Sequence, residues 1–263
     1  MARPPEAERS LGIGRRGGEF DDSAMANVNM LDRGQRSVGA NASRSRESKA
    51  RQIHAALKHA IVTGELPPDA ALDKNELGIR FGVSRLPVTT AIERLAFEGL
   101  VVVEPQRGSF VARIRLGDVK QWMLVRRALE MELVGLGAEQ LSEQWLGLIS
   151  RNLAYQRTAM ENGDLDGFHE LDVEFHRLLA EALSFHRVGD VLEQLRPHVD
   201  RVRRMLLPEP GRMPATFAEH QAIHAAIAAR DAPAARDAMR RHLDRVLSEL
   251  ELFEERHPNF FAT

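Results

Sequence analysis

The 263-residue chain contains no cysteine. Disulfides, zinc ribbons and thiolate chemistry are therefore excluded, and any metal site must be built from histidine and carboxylate. No apolar run approaches the roughly 18 residues that a membrane span requires. The N-terminus lacks the apolar core of a secretory signal. These absences predict a cytoplasmic protein with no membrane partner. Beyond residue 116 there is no strand signal, and no internal repeat is evident along the chain. What is present is 43% hydrophobic and 28% charged residues, enough to build the cores of two modest domains.

The net charge of -2 is unevenly spread. Residues 43–115 hold twelve basic and eight acidic residues, which leaves that segment at +4 and the remainder at -6. A basic module joined to an acidic one suggests a polyanionic partner for the first alone, although chance fluctuation gives the same signature.

Three segments follow from local pattern. Residues 1–42, rich in Gly, Ser, Asn and Arg without apolar period, read as a disordered tail, with a DNA-touching arm as the alternative. Met25 and Met30 are possible alternative starts within it. Residues 43–115 read as a helix ending at Gly64, a short helix Lys74–Phe81, the turn Gly82-Val83-Ser84, a helix Leu86–Glu98, and two strands around Pro105-Gln106-Arg107-Gly108. That order is a winged helix-turn-helix. Residues 116–257 read as six helices near 117–140, 142–161, 164–183, 186–206, 215–230 and 232–255. The fold class is thus mainly α: a winged helix-turn-helix followed by an all-α bundle.

In a helix-turn-helix the second helix enters the major groove with its N-terminal residues on base edges. Ser84, Arg85, Leu86, Thr89 and Thr90 would face double-stranded DNA. Arg85 can donate two parallel hydrogen bonds to a guanine, and its bland alternative is a solvated surface charge. Pro87 falls in the first turn, where its missing N–H costs little. Lys74 and Arg80 suit phosphates, and Arg107-Gly108 at the wing tip suits the minor groove.

The helical segment carries a histidine-carboxylate pattern. Asp172 and His176 are four apart, as are His220 and His224, and His242 lies on the last helix. Spacing of four stacks side chains on one helix face. Asp172, His176, His220 and His242 could converge on a divalent cation in the bundle core, with zinc, nickel and manganese all admissible for such a set. Each histidine also has an ordinary reading as a surface or core-edge residue.

ELGIRFGVSRLPVTTAIERLAFEGLVVVEPQRGSFV, within residues 45–114, resembles the DNA-binding domain of GntR-type bacterial regulators. The family usually has Arg where Thr89 stands, Glu where Thr90 stands, and a basic residue at the position of Asn75. Its operator pattern is accordingly a weak guide here. VRRALEMELVGLGAEQL, FHELDVEFHRLLAEAL and EHQAIHAAIAARDAPAARDAMRRHL resemble the FCD ligand-binding domain of the FadR branch. Six helices favour the shorter, VanR-like version. The resemblance implies Asp172, His176, His220 and His242 as metal ligands, with zinc the first choice of ion. It also implies an effector pocket faced by Arg126, whose alternative is a surface pair with Glu130. His169, three before Asp172, is expected behind the metal ligands, and His224, which matches no family ligand, at the core edge or pocket; Arg204, with Arg201 and Arg203, is a weaker effector candidate. His186 stands where many members carry Asn.

The expected protein is a homodimeric, non-enzymatic regulator, a repressor with activation as the alternative, whose operator affinity changes with a small carboxylate at the metal, with residues 112–118 as hinge. Two alternatives stand: a helical metallohydrolase, for which Glu174 is poorly placed as a base, and a constitutive DNA binder with a structural metal.

Overall fold

The computed structural model describes residues 40–262, with side chains from residue 47; the segment read as a tail lies outside the described residues except for its last three. Those three already belong to α1 (Ala40–Thr63), so this helix starts earlier than its apolar period suggested. Ala50, Ile53, Leu57, Ala60 and Ile61 form its buried face. Gly64, at φ +83°, ends it in a conformation that glycine adopts without strain.

Asp73 caps α2 (Lys74–Arg80), accepting from the Asn75 and Glu76 amides at 2.7 and 2.8 Å. Ser84 has the extended backbone of an N-cap for α3 (Arg85–Phe97), but its hydroxyl makes no capping bond. Val88, Ala91, Ile92 and Leu95 bury one face of α3. β1 (Val101–Glu104) and β2 (Gly108–Val111) pair antiparallel, Val101 opposite Val111 and Glu104 opposite Gly108. The loop before α2 extends this wing: Leu72 N–H donates to Ser109 O, and Val111 N–H to Ala70 O.

Six further helices follow: α4 (Leu116–Gln140), α5 (Glu143–Glu161), α6 (Leu165–Ala182), α7 (His186–Leu206), α8 (Arg212–Ala228) and α9 (Ala232–Arg256). α8 begins three residues before the sequence expectation; the other boundaries fall close to it. α4 packs along α9, α5 along α6, and α8 along α9. Phe168, Phe175, Ile149, Leu179, Ile223 and Met239 lie in the core between them. Among the described residues no helix is long and apolar enough to cross a membrane.

The linker read as a hinge is tied to the end of the chain. Ile114 N–H donates to Phe260 O at 3.0 Å, Ala262 N–H donates to Ile114 O at 2.8 Å, and Phe261 is buried. The short turn Pro258–Phe260 and this clasp lie beyond the expected end of the helical region.

Candidate metal centre

α6 presents Asp172 and His176 one turn apart, α8 presents His220, and α9 presents His242. One nitrogen or oxygen from each lies within 4.8 Å of all the others, and all four residues are buried. His220 stacks on Phe175 with ring centroids 4.2 Å apart. The spacing argument and the resemblance therefore name residues that the fold does bring together.

The tautomers follow from the partners of Nδ1. The Leu171 carbonyl can only accept, so it takes a hydrogen bond from Asn152 Nδ2 at 3.0 Å. That orients Asn152 Oδ1 to accept from Gln156 Nε2 at 2.7 Å. Gln156 Oε1 is then left to accept from His220 Nδ1 at 2.9 Å. His242 Nδ1 donates to Glu219 Oε2 at 2.7 Å. His176 Nδ1 makes a 2.5 Å ion-pair contact with Glu130 Oε2. His220 and His242 thus carry their protons on Nδ1 and turn an Nε2 lone pair inward, and His176 follows because its Nε2 accepts from Arg203, the arrangement that orients histidine toward a metal.

Two of these lone pairs have nothing to meet. His220 Nε2 and His242 Nε2 are buried without a hydrogen-bond partner. His220 Nε2 lies 3.3 Å from Asp172 Oδ1, acceptor facing acceptor. Buried acceptors in that state are costly unless a cation or donor joins them. The donor set therefore fits a divalent ion of the zinc, nickel or manganese kind. The third lone pair, on His176 Nε2, accepts from Arg203 Nη2 at 2.8 Å, and Arg203 also pairs with Asp172.

Burial and charge favour neutral His176 and His242 beside an ionised Asp172. Burial pushes the Asp172 carboxyl up, but the Arg203 guanidinium beside it outweighs burial and holds the group well below the usual carboxylate range. Burial, then Arg126 and Arg203, hold His176 well below its ordinary value. Burial lowers His242 to about 4 and His169 to about 4.

A cavity of about 460 Å³ adjoins the cluster, lined among others by Arg126, Glu130, His176, Asp200 and Arg203. Arg126 is buried and pairs with Glu130 at 2.5 Å, so the two alternatives for it merge: the pair exists, but in the pocket wall rather than on the helix surface. His186, the first residue of α7, also lines this cavity. His169 is buried beside Asp172 and 4.0 Å from Asp200. Of the expected effector residues, His169, Arg201, Arg204 and His224 do not line this cavity. Arg204 turns to Asp166 at 2.5 Å, because its neighbour Arg203 occupies the inward position on α7. His224 bonds Ser150 at 2.9 Å on the α5 side, since four residues of helix advance about 40° beyond a full turn. Glu174 pairs with Arg177 at the surface, away from the cluster. Sequence reading missed Glu130, Asn152, Gln156 and Glu219. Only Glu130 gave a signal, as the partner in the Arg126 pattern.

In the winged module, Lys74, Asn75, Arg85, Arg107 and Gly108 line one surface depression between α2, the start of α3 and the wing. Lys74, Asn75, Ser84 and Arg85 line a second one beside it. Leu86 and Thr90 are exposed on the first turns of α3, with Thr89 partly so. Arg107 pairs with Glu104 at 2.6 Å and remains largely exposed.

Residues 49–111 match the model of the bacterial regulatory proteins of the gntR family, and residues 121–245 match the FCD domain. The chain belongs to the GntR family. This FCD-bearing transcription regulator is 33% identical over 211 residues to the HTH-type transcriptional repressor RspR of Escherichia coli K12, covering 80% of this chain and 92% of the relative. It is 37% identical over 214 residues to an uncharacterised HTH-type regulator from an unstable DNA locus of Streptomyces ambofaciens, covering 81% and 89%. Its fold is similar to that of E. coli McbR/YncC, with a TM-score of 0.65 at 22% identity over 78% of this chain and 97% of the other. A GntR regulator of Rhodococcus sp. RHA1 superposes with a TM-score of 0.67 at 22% identity, over 78% and 98%. The regulator's relatives and fold neighbours are thus transcription regulators, in agreement with the helix-turn-helix and FCD readings.

Proposed function

We propose that the regulator is a homodimeric repressor whose operator affinity is set by a small organic acid bound at a divalent metal. The observation that carries this reading is the pair of inward, partnerless Nε2 atoms of His220 and His242 beside Asp172, next to a cavity whose lining includes Arg126 and Arg203. Asp172, His176, His220 and His242 would hold the ion. When bound, it supplies a Lewis-acidic centre for a carboxylate oxygen. Arg126 and Arg203 offer planar donors for a second carboxylate oxygen. In the present arrangement Arg203 is committed to Asp172 and His176, so it must turn toward the cavity to take that role.

Arg85, Ser84, Leu86, Thr89 and Thr90 would read bases, while Lys74, Asn75 and the Arg107-Gly108 wing tip hold the backbone. With Thr89 and Thr90 in place of Arg and Glu, Arg85 carries most of the direct reading. Two copies would set two α3 helices on a pseudo-palindromic site. The printed role of RspR as a repressor favours repression over activation. Coupling requires the acid to bind one arrangement of the DNA-binding domains better than the other.

Fluorescence anisotropy with operator DNA tests this, run with and without chelator and across a panel of hydroxy and sugar acids. The expected result is an operator affinity that falls at least tenfold with one acid, and only when the metal is present. Affinity indifferent to chelator and to every acid would leave a constitutive DNA binder instead.

A further inference from the structure

One buried charge stands outside this network. Arg201 on α7 is 7% exposed, and among the described residues its side chain makes no hydrogen bond or ion pair. The other buried arginines of the helical region each have a carboxylate: Arg126 has Glu130, Arg203 has Asp172, and Arg212 has Glu249. Burial, with no acid to offset it, lowers Arg201 to about 10. An unpaired guanidinium in that setting is costly, so a partner from outside the fold is expected.

The surroundings are built to receive one. Arg201 lines a cavity of about 590 Å³ where the wing, the linker, the start of α4, α7 and the C-terminal tail meet. The other charges there largely cancel: Arg107 pairs with Glu104 at 2.6 Å and Arg113 with Asp69 at 2.7 Å. The apolar wall includes Val119 and Trp122, and Trp122 stacks on His198 with centroids 3.6 Å apart. His198 is held neutral by burial at about 4 and bonds the Glu98 backbone, so it supplies no competing charge.

We propose that this junction cavity is a second anion site, separate from the metal pocket, which takes a small oxyanion on the planar fork of Arg201. Carboxylate and phosphate share the geometry that a guanidinium fork recognises. The walls come from both the DNA-reading module and the helical region. α7 also supplies Asp200 and Arg203 to the metal-side cavity. An anion there is therefore placed to act on the connection between sensor and reader.

Thermal unfolding of the full chain tests the site, with phosphate or benzoate added at constant ionic strength. Near a hundredfold excess over Kd, the native chain should gain about 5 °C in Tm. Arg201→Met should show no gain, and in buffer free of both anions it should melt no lower than the native chain. A response to benzoate alone assigns an organic carboxylate, and a response to phosphate alone assigns a phosphate. Equal responses in both proteins, no response in either, or an Arg201→Met chain that melts far lower without anion would overturn the proposal. A second readout avoids that variant. The chain has two tryptophans, so Trp145→Phe leaves Trp122 as the sole reporter. Saturable change in its emission on anion titration is expected, and its absence would overturn the site.

Discussion

The two halves of the molecule treat polar groups in opposite ways. Among the described residues, the DNA-reading module buries only His54 and Ser109 of its polar side chains, and keeps its function on the outside, at Arg85, Leu86, Thr90 and Arg107. The helical region buries Arg126, Glu130, Asn152, Gln156, His169, Asp172, His176, His220 and His242 together. The first half resembles an ordinary small core carrying a surface reader. The second spends folding free energy on a buried polar network and recovers it only when a ligand completes the set. A surface reader tolerates loss of a functional side chain without loss of fold, whereas a buried network couples function to stability.

The sharpest way to break that contrast is metal removal. A chelator should lower Tm by about 10 °C, because a tightly held ion adds its binding free energy to folding. Arg85→Ala should leave Tm unchanged while weakening operator binding by up to about a hundredfold, the worth of a bidentate guanine contact. Anisotropy and calorimetry on the same samples check both halves at once. Gln156→Leu should cut metal affinity about tenfold, measured by competition with a chromogenic chelator, since it removes the acceptor that fixes the His220 tautomer. The smallest effect concerns His198. Its folded value of about 4 lies below the ordinary 6.5, so it contributes stability that is present above 6.5 and lost as pH falls toward 4. Tm measured across that window should fall less steeply in His198→Gln than in the native chain.

The same contrast explains what could be read from the sequence. GVSR-x-P-V opening a helix is a local signal, and α2, α3 and the wing lie where it put them. The metal set was half local: i,i+4 spacing gave Asp172 with His176, while His220 and His242 joined them only as candidates on other helices, a grouping that the resemblance strengthened. The acceptors behind the histidines were not legible. Gln156 reaches His220 across 64 residues and Glu130 reaches His176 across 46, contacts that only the packed bundle creates. Arg203 and Arg204 differ by one position, about 100° around α7, and a helix this rich in charge does not announce its phase. His224 sits on the right helix but on its α5 side. The clasp of Ile114 by residues 260–262 has no periodic pattern at all, so the linker alone read as a free hinge.

Elemental analysis of the purified full chain, beside a His220→Ala variant, tests the central claim most directly. The account predicts about one divalent ion per native chain and essentially none in the variant, for a metal that binds imidazole and carboxylate. A native chain that stays metal-free after incubation with zinc, nickel or manganese would contradict it, as would a variant that retains the ion in full.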